Sequence, residues 1–226
     1  MRRFVIIPAG GKGVRSGFSA PKQYLKFGGK ELIVYTLEVF QKNRLVDEII
    51  ISADKSYFNL LLKLKKKYRL TKISRIVECG KERQDSVFNG LKSIVAKRND
   101  LVIVHDAARP LLPSLILTNA ITVAQKKGNA LVCVKASDTL VKGISKVESY
   151  LNRDEIYYVQ TPQIFRYENL VDAMEDAYKN NFYGTDESML VKRIGGKVNI
   201  VEGSLINFKI TTKADVELFK QLVKDK

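Results

Sequence analysis

The sequence is poor in the residues that most often carry metal or disulfide chemistry. It holds one histidine and two cysteines, and no tryptophan, in 226 residues. That set is too small for a four-ligand zinc site or a disulfide framework. Cys79 and Cys133 each sit in an apolar, strand-like run and are expected as buried thiols. No apolar run approaches the roughly 18 residues that cross a bilayer, so no membrane partner is expected. The run Phe4–Ile7, which follows Met1-Arg2-Arg3, is too short for a secretory h-region, which points to the cytoplasm. Acidic residues are also scarce, 24 against 39 Lys and Arg, for a net charge of +15. Such a balance suits a nucleic acid, a polyphosphate substrate or a lysine-biased composition. The densest basic cluster is Lys63, Lys65, Lys66, Lys67 and Arg69. It lacks the glycine-aromatic interleaving of an RNA-binding sheet and reads as a solvated helix face, so nucleic acid is not expected as a partner.

Against these absences, 45% of the residues are hydrophobic, enough for a substantial core. The length suits one α/β domain spanning 1–226, with at most an appendage. Strand-like runs at Phe4–Ile7, Glu48–Ser52, Ile73–Cys79, Leu101–Val104 and Ala130–Val134 alternate with helical spacings at Leu32–Phe40, Tyr57–Tyr68, Arg83–Ala96 and Leu115–Lys126. In Arg83–Ala96 the inward set is Val87, Leu91, Ile94 and Val95. The alternation predicts a doubly wound, mostly parallel sheet of the Rossmann-like kind. The pattern breaks from about Thr139 to Arg153, where Val141, Ile144, Val147 and Tyr150 are separated by polar residues. This stretch is too short and polar for its own core and reads as a projecting β-arm that packs on a second subunit. Alternation resumes with a strand at Tyr157–Val159, helices at Leu170–Asn180 and Glu187–Arg193, a strand at Val198–Glu202 and a last helix at Lys213–Lys224.

The chain is organised around Pro8-Ala9-Gly10-Gly11-Lys12-Gly13-Val14-Arg15-Ser16, closing with Pro21-Lys22-Gln23-Tyr24. Glycines after a strand let backbone approach a ligand closely, and their N–H groups form an anion nest. Lys12, Arg15 and Lys22 add fixed positive charge at that end. Together they describe a polyphosphate site at the carboxyl edge of a sheet. Gly11 and Gly13 fit a dinucleotide fingerprint, but Ser16 stands where the third glycine belongs, and no acidic residue closes a second strand about 20 residues on. No stretch matches a P-loop.

Right-handed crossovers place Gly10–Gly13, Gly80–Ser86 and Asp106–Arg109 at one crevice, because each follows a strand. His105, at a strand end, is as suited to positioning the Asp106 turn as to acting as a base. Asp106 suits Mg²⁺ or a substrate hydroxyl, or else a turn cap. Arg83, Asp85 and Ser86 either cap a helix or meet a ribose or base. The spacing of Thr139, Arg153, Thr161 and Lys209 alone assigns them nothing.

The glycine loop with Pro21-Lys22-Gln23-Tyr24 resembles the nucleotide loop of the 2-C-methyl-D-erythritol 4-phosphate cytidylyltransferases. So do Gly80-x-x-Arg83-x-Asp85-Ser86, Val104-His105-Asp106-Ala107-Ala108-Arg109-Pro110, Asp138-Thr139, Gln160-Thr161-Pro162-Gln163, Thr185-Asp186-Glu187 and Asn207-Phe208-Lys209-Ile210-Thr211. The blocks keep their order along nearly the whole chain. Three positions depart from the pattern: Gly10 stands for a usual alanine, Ser16 for a hydrophobic residue and Cys79 for a glycine. The resemblance implies a homodimer formed through the arm and cytidylyl transfer from CTP to a polyol phosphate, with Mg²⁺. It implies Arg15 and Lys22 as catalytic groups on the triphosphate. It implies Pro8, Ala9, Gly10, Gly11, Gly13, Gly80, Lys81, Arg83, Ser86, Asp106 and Ala107 around CTP. Asp106, Arg109, Thr139, Thr161 and Lys209 would face the polyol phosphate, and Arg153 would reach the partner's site. By the same resemblance the polyol would be methylerythritol phosphate, of isoprenoid precursor synthesis, or alternatively ribitol 5-phosphate. A non-enzymatic nucleic-acid-binding protein would leave the motifs at the strand ends unexplained.

Overall fold

A computed structural model describes residues 1–11 and 20–224. In chain order the sheet strands are β1 (Arg3–Pro8), the short pair β2 (Lys26–Phe27) and β3 (Lys30–Glu31), β4 (Glu48–Ala53), β5 (Ile73–Glu78), β6 (Leu101–Val104), β7 (Asn129–Lys135), the hairpin β8 (Leu140–Gly143) and β9 (Val147–Leu151), β10 (Tyr157–Arg166) and β11 (Ile200–Glu202). The helices are α1 (Leu32–Lys42), α2 (Phe58–Lys67), α3 (Arg83–Ser93), α4 (Ser114–Lys127), α5 (Tyr167–Lys179), α6 (Glu187–Arg193) and α7 (Lys213–Lys224). Seven strands form one sheet in the order β11-β7-β10-β6-β1-β4-β5. Six run the same way, and β10 runs against both its neighbours.

Because side chains alternate along a strand, β1 feeds two cores. Val5 and Ile7 pack with Ile49, Ile51 and Ile103 under α1, α2 and α4. Phe4 and Ile6 pack with Ile50, Val102 and Val104 under α3, α5 and α6. Burial on both faces is why the central strands read as unbroken apolar runs. A third cluster seats α7 on the β2–β3 hairpin through Phe27, Leu32, Ile210, Val216 and Phe219.

The chain winds outward from β1 to β4 and β5, then returns to β6 on the other side of β1. That reversal opens a crevice at the carboxyl ends of β1 and β6. The expected mostly parallel, doubly wound sheet is the one found, and the hairpin β8–β9 lies within the segment expected as an arm.

Three local expectations differ. Helix α3 stops at Ser93, so Ile94 is buried but Val95 is 79% exposed rather than inward. Beyond it Asp100 accepts from the backbone N–H groups of Lys97 and Arg2, turning the chain into β6. Strand β10 continues past Val159 to Arg166. Its apolar pattern is interrupted at Gln160–Gln163, where pairing with β7 shifts register around a cis Thr161–Pro162 bond. Proline has no N–H for the ladder and sits where the ladder breaks. Finally, Cys79 lies just beyond β5 and is only half-buried, while Cys133 is buried as expected.

Candidate active site

A cavity of about 950 Å³ occupies the crevice. Its walls come from three strand ends: Pro8–Gly11 after β1, Cys79–Arg83 after β5, and Asp106–Ala108 after β6. Lys22 and Lys209 join them from the loop side.

The glycine loop is held from below by the Pro21–Tyr24 turn. The Gln23 side-chain amide donates to the carbonyls of Ala9 at 2.7 Å and Gly11 at 2.8 Å. The Tyr24 hydroxyl donates to Ala9 as well, and its ring stacks on Tyr57 with centroids 3.9 Å apart. With those carbonyls tied down, the loop can offer its N–H groups to an anion. Lys22 opens the same turn and lines the cavity. Gly13 and Arg15, with Lys12, lie outside the described residues.

The second wall is built by capping. Asp85 accepts from the Glu82 backbone N–H and from the Tyr178 hydroxyl. The Ser86 hydroxyl accepts from Gly80 N–H and donates to the Glu82 carbonyl. Both side chains therefore shape the Gly80–Arg83 loop at the start of α3. Gly80 is required there, because a β-carbon would collide with Cβ of Asp85.

The third wall is an ionic cluster on Asp106. One carboxylate oxygen accepts from Nε of Arg83 at 3.1 Å; the other lies 3.0 Å from Nζ of Lys209 and 3.5 Å from Nε of Arg109. Burial opposes charge on Asp106, but Arg83, Lys209 and Arg109 outweigh it and hold the acid well below the usual carboxylate range. Arg83 in turn grips Glu187 with both terminal nitrogens, at 2.7 and 3.1 Å. Burial disfavours its charge too, yet Glu187 and Asp106 raise its pKa. Arg83 is thus a strut between α3, α6 and the Asp106 turn, and it also lines the cavity. Arg109 donates to the Asn207 carbonyl at 2.7 Å, and Asn207 donates its amide to Gln160 and to the Thr161 carbonyl. These bonds dock the Lys209 segment on the turn after β6.

The same cluster bears on the metal. Both Asp106 oxygens face cations, a setting that suits a further cation poorly. Among the described residues no group of three or more His, Cys, Asp or Glu side chains is placed to hold a metal ion. Asp106 would therefore have to exchange one of its protein cations to serve as a Mg²⁺ ligand.

His105 is wholly buried, and its hydrogen bonds define its state. Its Nε2 lies 3.0 Å from the Arg109 carbonyl, which can only accept, so Nε2 carries the proton. Nδ1 then accepts from the Thr161 hydroxyl at 3.1 Å, and that hydroxyl accepts the Asp106 backbone N–H. Burial pulls the imidazole pKa down to about 4, so the ring is neutral at pH 7. His105 and Thr161 act from beneath the turn, holding Asp106 and Arg109 in place.

Of the residues expected around a polyol phosphate, Asp106 and Lys209 line the cavity and Arg109 adjoins them. Thr139 and Arg153 are exposed on the arm and do not line it. Arg153 donates to the Ser137 carbonyl.

The model of one family, 2-C-methyl-D-erythritol 4-phosphate cytidylyltransferase, matches residues 4–225. The chain belongs to this family. It is 41% identical over 221 residues to the cytidylyltransferase of that name from Clostridioides difficile (strain 630), covering 97% of this chain and 92% of the relative. It is 40% identical to that of Syntrophus aciditrophicus (strain SB), covering 97% and 94%. The solved cytidylyltransferase structure from Francisella tularensis superposes with a TM-score of 0.84 at 33% identity, over 99% of this chain and all of that one. Membership in this cytidylyltransferase family makes the chain a nucleotidyltransferase.

Glu187, Gln23 and Asn207 are site-building residues that residue-type reasoning did not single out, though each lies in a motif block quoted above. Glu187 follows a helix-capping Asp186 and reads as an ordinary first-turn acid; only its burial beside Arg83 gives it a role.

Proposed function

We propose that this chain transfers a cytidylyl group from CTP to 2-C-methyl-D-erythritol 4-phosphate, forming 4-diphosphocytidyl-2-C-methyl-D-erythritol and pyrophosphate. The observation that carries it is the joining of an anion-binding glycine loop and Lys22 to the Asp106, Arg109 and Lys209 cluster across one cavity, in a chain of this family. A phosphate oxygen of the polyol attacks the α-phosphorus; the bond to the β-phosphate bridging oxygen breaks, and pyrophosphate leaves. The nucleophile is already an anion, so no general base is needed. Two anions must instead be brought together, which falls to fixed cations. Lys22, with Arg15, is assigned to the triphosphate. Pro8–Gly11, Gly13, Gly80, Lys81, Ser86 and Ala107 frame the nucleotide. Arg109 and Lys209, oriented by Asp106, face the polyol phosphate, with Thr161 beneath them. The carboxylate of Asp106 is engaged by three protein cations, so we regard Mg²⁺ as arriving with CTP, whose phosphates would supply ligands for it.

We assign the arm to a homodimer contact. Val141, Ile144, Val147 and Tyr150 stand exposed on it, more apolar surface than a solvated hairpin needs. In that arrangement Thr139 and Arg153 serve the partner's polyol site. Two free thiols accord with a reducing compartment, and we place the protein in the cytoplasm.

The test is pyrophosphate release with Mg²⁺ and CTP, methylerythritol phosphate and ribitol 5-phosphate being compared in parallel. Strong preference for methylerythritol phosphate supports the reading. Preference for ribitol 5-phosphate reassigns the polyol pocket, and silence with both sinks it.

A further inference from the structure

Gly10 and Cys79 meet at the floor of the cavity, where the loop after β1 crosses the end of β5. A β-carbon at residue 10 would lie 2.5 Å from both Cβ and Sγ of Cys79. That is far inside van der Waals contact, and neither wall is free to retreat. On one side the Ala9 N–H donates to the Ser52 carbonyl and Gln23 holds the carbonyls of Ala9 and Gly11. On the other the Cys79 N–H donates to the Ala53 carbonyl. Burial and the nearby Asp54 raise the pKa of the Cys79 thiol, so it is a neutral packing group rather than a nucleophile.

We propose that Gly10 and Cys79 form one steric unit in which the cysteine side chain fills the volume of the missing β-carbon, and that this unit positions the nucleotide loop and sets affinity for CTP. Only one of the two positions can carry a side chain. Alanine at 10 with cysteine at 79 forces the strands' loops apart, shifting the N–H groups that meet the phosphates. Alanine at 10 with glycine at 79 restores the packing with the β-carbon supplied from the opposite side. The clash involves Cβ of Cys79 as much as its sulfur, so removing sulfur alone does not relieve it. The inference rests on the cavity being the CTP site.

The experiment is steady-state kinetics on wild type, Gly10→Ala, Cys79→Gly, Gly10→Ala/Cys79→Gly and Gly10→Ala/Cys79→Ala, each with a thermal melt. Gly10→Ala is expected to raise KM for CTP roughly 10-fold or more, the usual scale of overpacking, with KM for the polyol phosphate little moved. Gly10→Ala/Cys79→Gly is expected to return to within about 3-fold of wild type, while Gly10→Ala/Cys79→Ala stays impaired. If Gly10→Ala does not fold, recovery of fold and turnover in Gly10→Ala/Cys79→Gly, and not in Gly10→Ala/Cys79→Ala, carries the same conclusion. The proposal is overturned if Gly10→Ala matches wild type, if the effects of the two changes simply multiply, or if both double variants behave alike. A wild type that releases no pyrophosphate from CTP refutes the proposed function instead.

Discussion

A single side chain in this site is defined by what it cannot do elsewhere. Lys22 is presented on a turn whose next two residues, Gln23 and Tyr24, are buried and bonded to the glycine loop. Lys22→Ala should therefore lower kcat by roughly 100-fold or more, while the melting temperature stays near that of wild type; near-normal turnover would remove Lys22 from the triphosphate. His105 makes a different prediction. Its folded pKa of about 4 lies below the unfolded value near 6.5, so the unfolded chain binds the extra proton first as pH falls. Full stability is present above about pH 6.5 and is lost as pH drops towards 4, by about 3 kcal/mol from this group at the lower limit. Urea denaturation between pH 7 and pH 4.5 should show a shallower loss for His105→Asn than for wild type; parallel curves would mean that the ring is not held neutral. Asp106, whose pKa is also depressed, adds acid lability of the same sign in both proteins. At this scale the sequence showed which types of residue were present but not their partners. The positions 10 and 79 looked like unrelated departures until their β-carbons were seen to compete for one space.

Elements matter here for how they converge. The strut from Arg83 at the start of α3 to Glu187 at the start of α6 ties two helices to the turn after β6. Removing one member of a buried ion pair leaves the other unbalanced, so Glu187→Gln should cost about 3 kcal/mol in urea denaturation, a loss below about 0.5 kcal/mol being too small for the strut described. The arm carries the opposite expectation. Ile144 and Tyr150 are exposed on β8–β9 and its turn, away from the core. The double change Ile144→Ser/Tyr150→Ser should shift the mass seen in sedimentation towards that of the monomer, with the melt of the fold moved little; an unchanged mass would place the subunit contact elsewhere. Most elements were legible because burial on both sheet faces writes strands as apolar runs and helices as spaced ones. The far half of β10 was not, since Gln160, Thr161, Pro162 and Gln163 use buried polar contacts instead: Gln160 donates to the Ser204 carbonyl, and Gln163 accepts from Ser188.

At the scale of the whole molecule, the exposed positions of Thr139 and Arg153 bear on how many chains build one site. If the arm of one subunit serves the other, mixing Lys22→Ala and Arg153→Ala proteins should restore part of the lost activity, because each mixed dimer holds one intact site. Absence of recovery in demonstrated mixed dimers would confine Arg153 to its own chain. The net charge of +15 belongs to this scale too, as a field that draws in triphosphate and polyol phosphate together. What the sequence determined by itself was the alternation of strands and helices, hence the parallel sheet, and the motifs that fall at strand ends. Those are consequences of local periodicity and of short-range backbone needs, both readable along the chain. The tertiary structure alone decided that Asp106 spends its charge on three cations, that Arg83 spans two helices, that His105 is a neutral brace and that Gly10 yields its space to Cys79. Each of these depends on contacts between residues far apart in sequence, whose energies arise from burial and mutual distance.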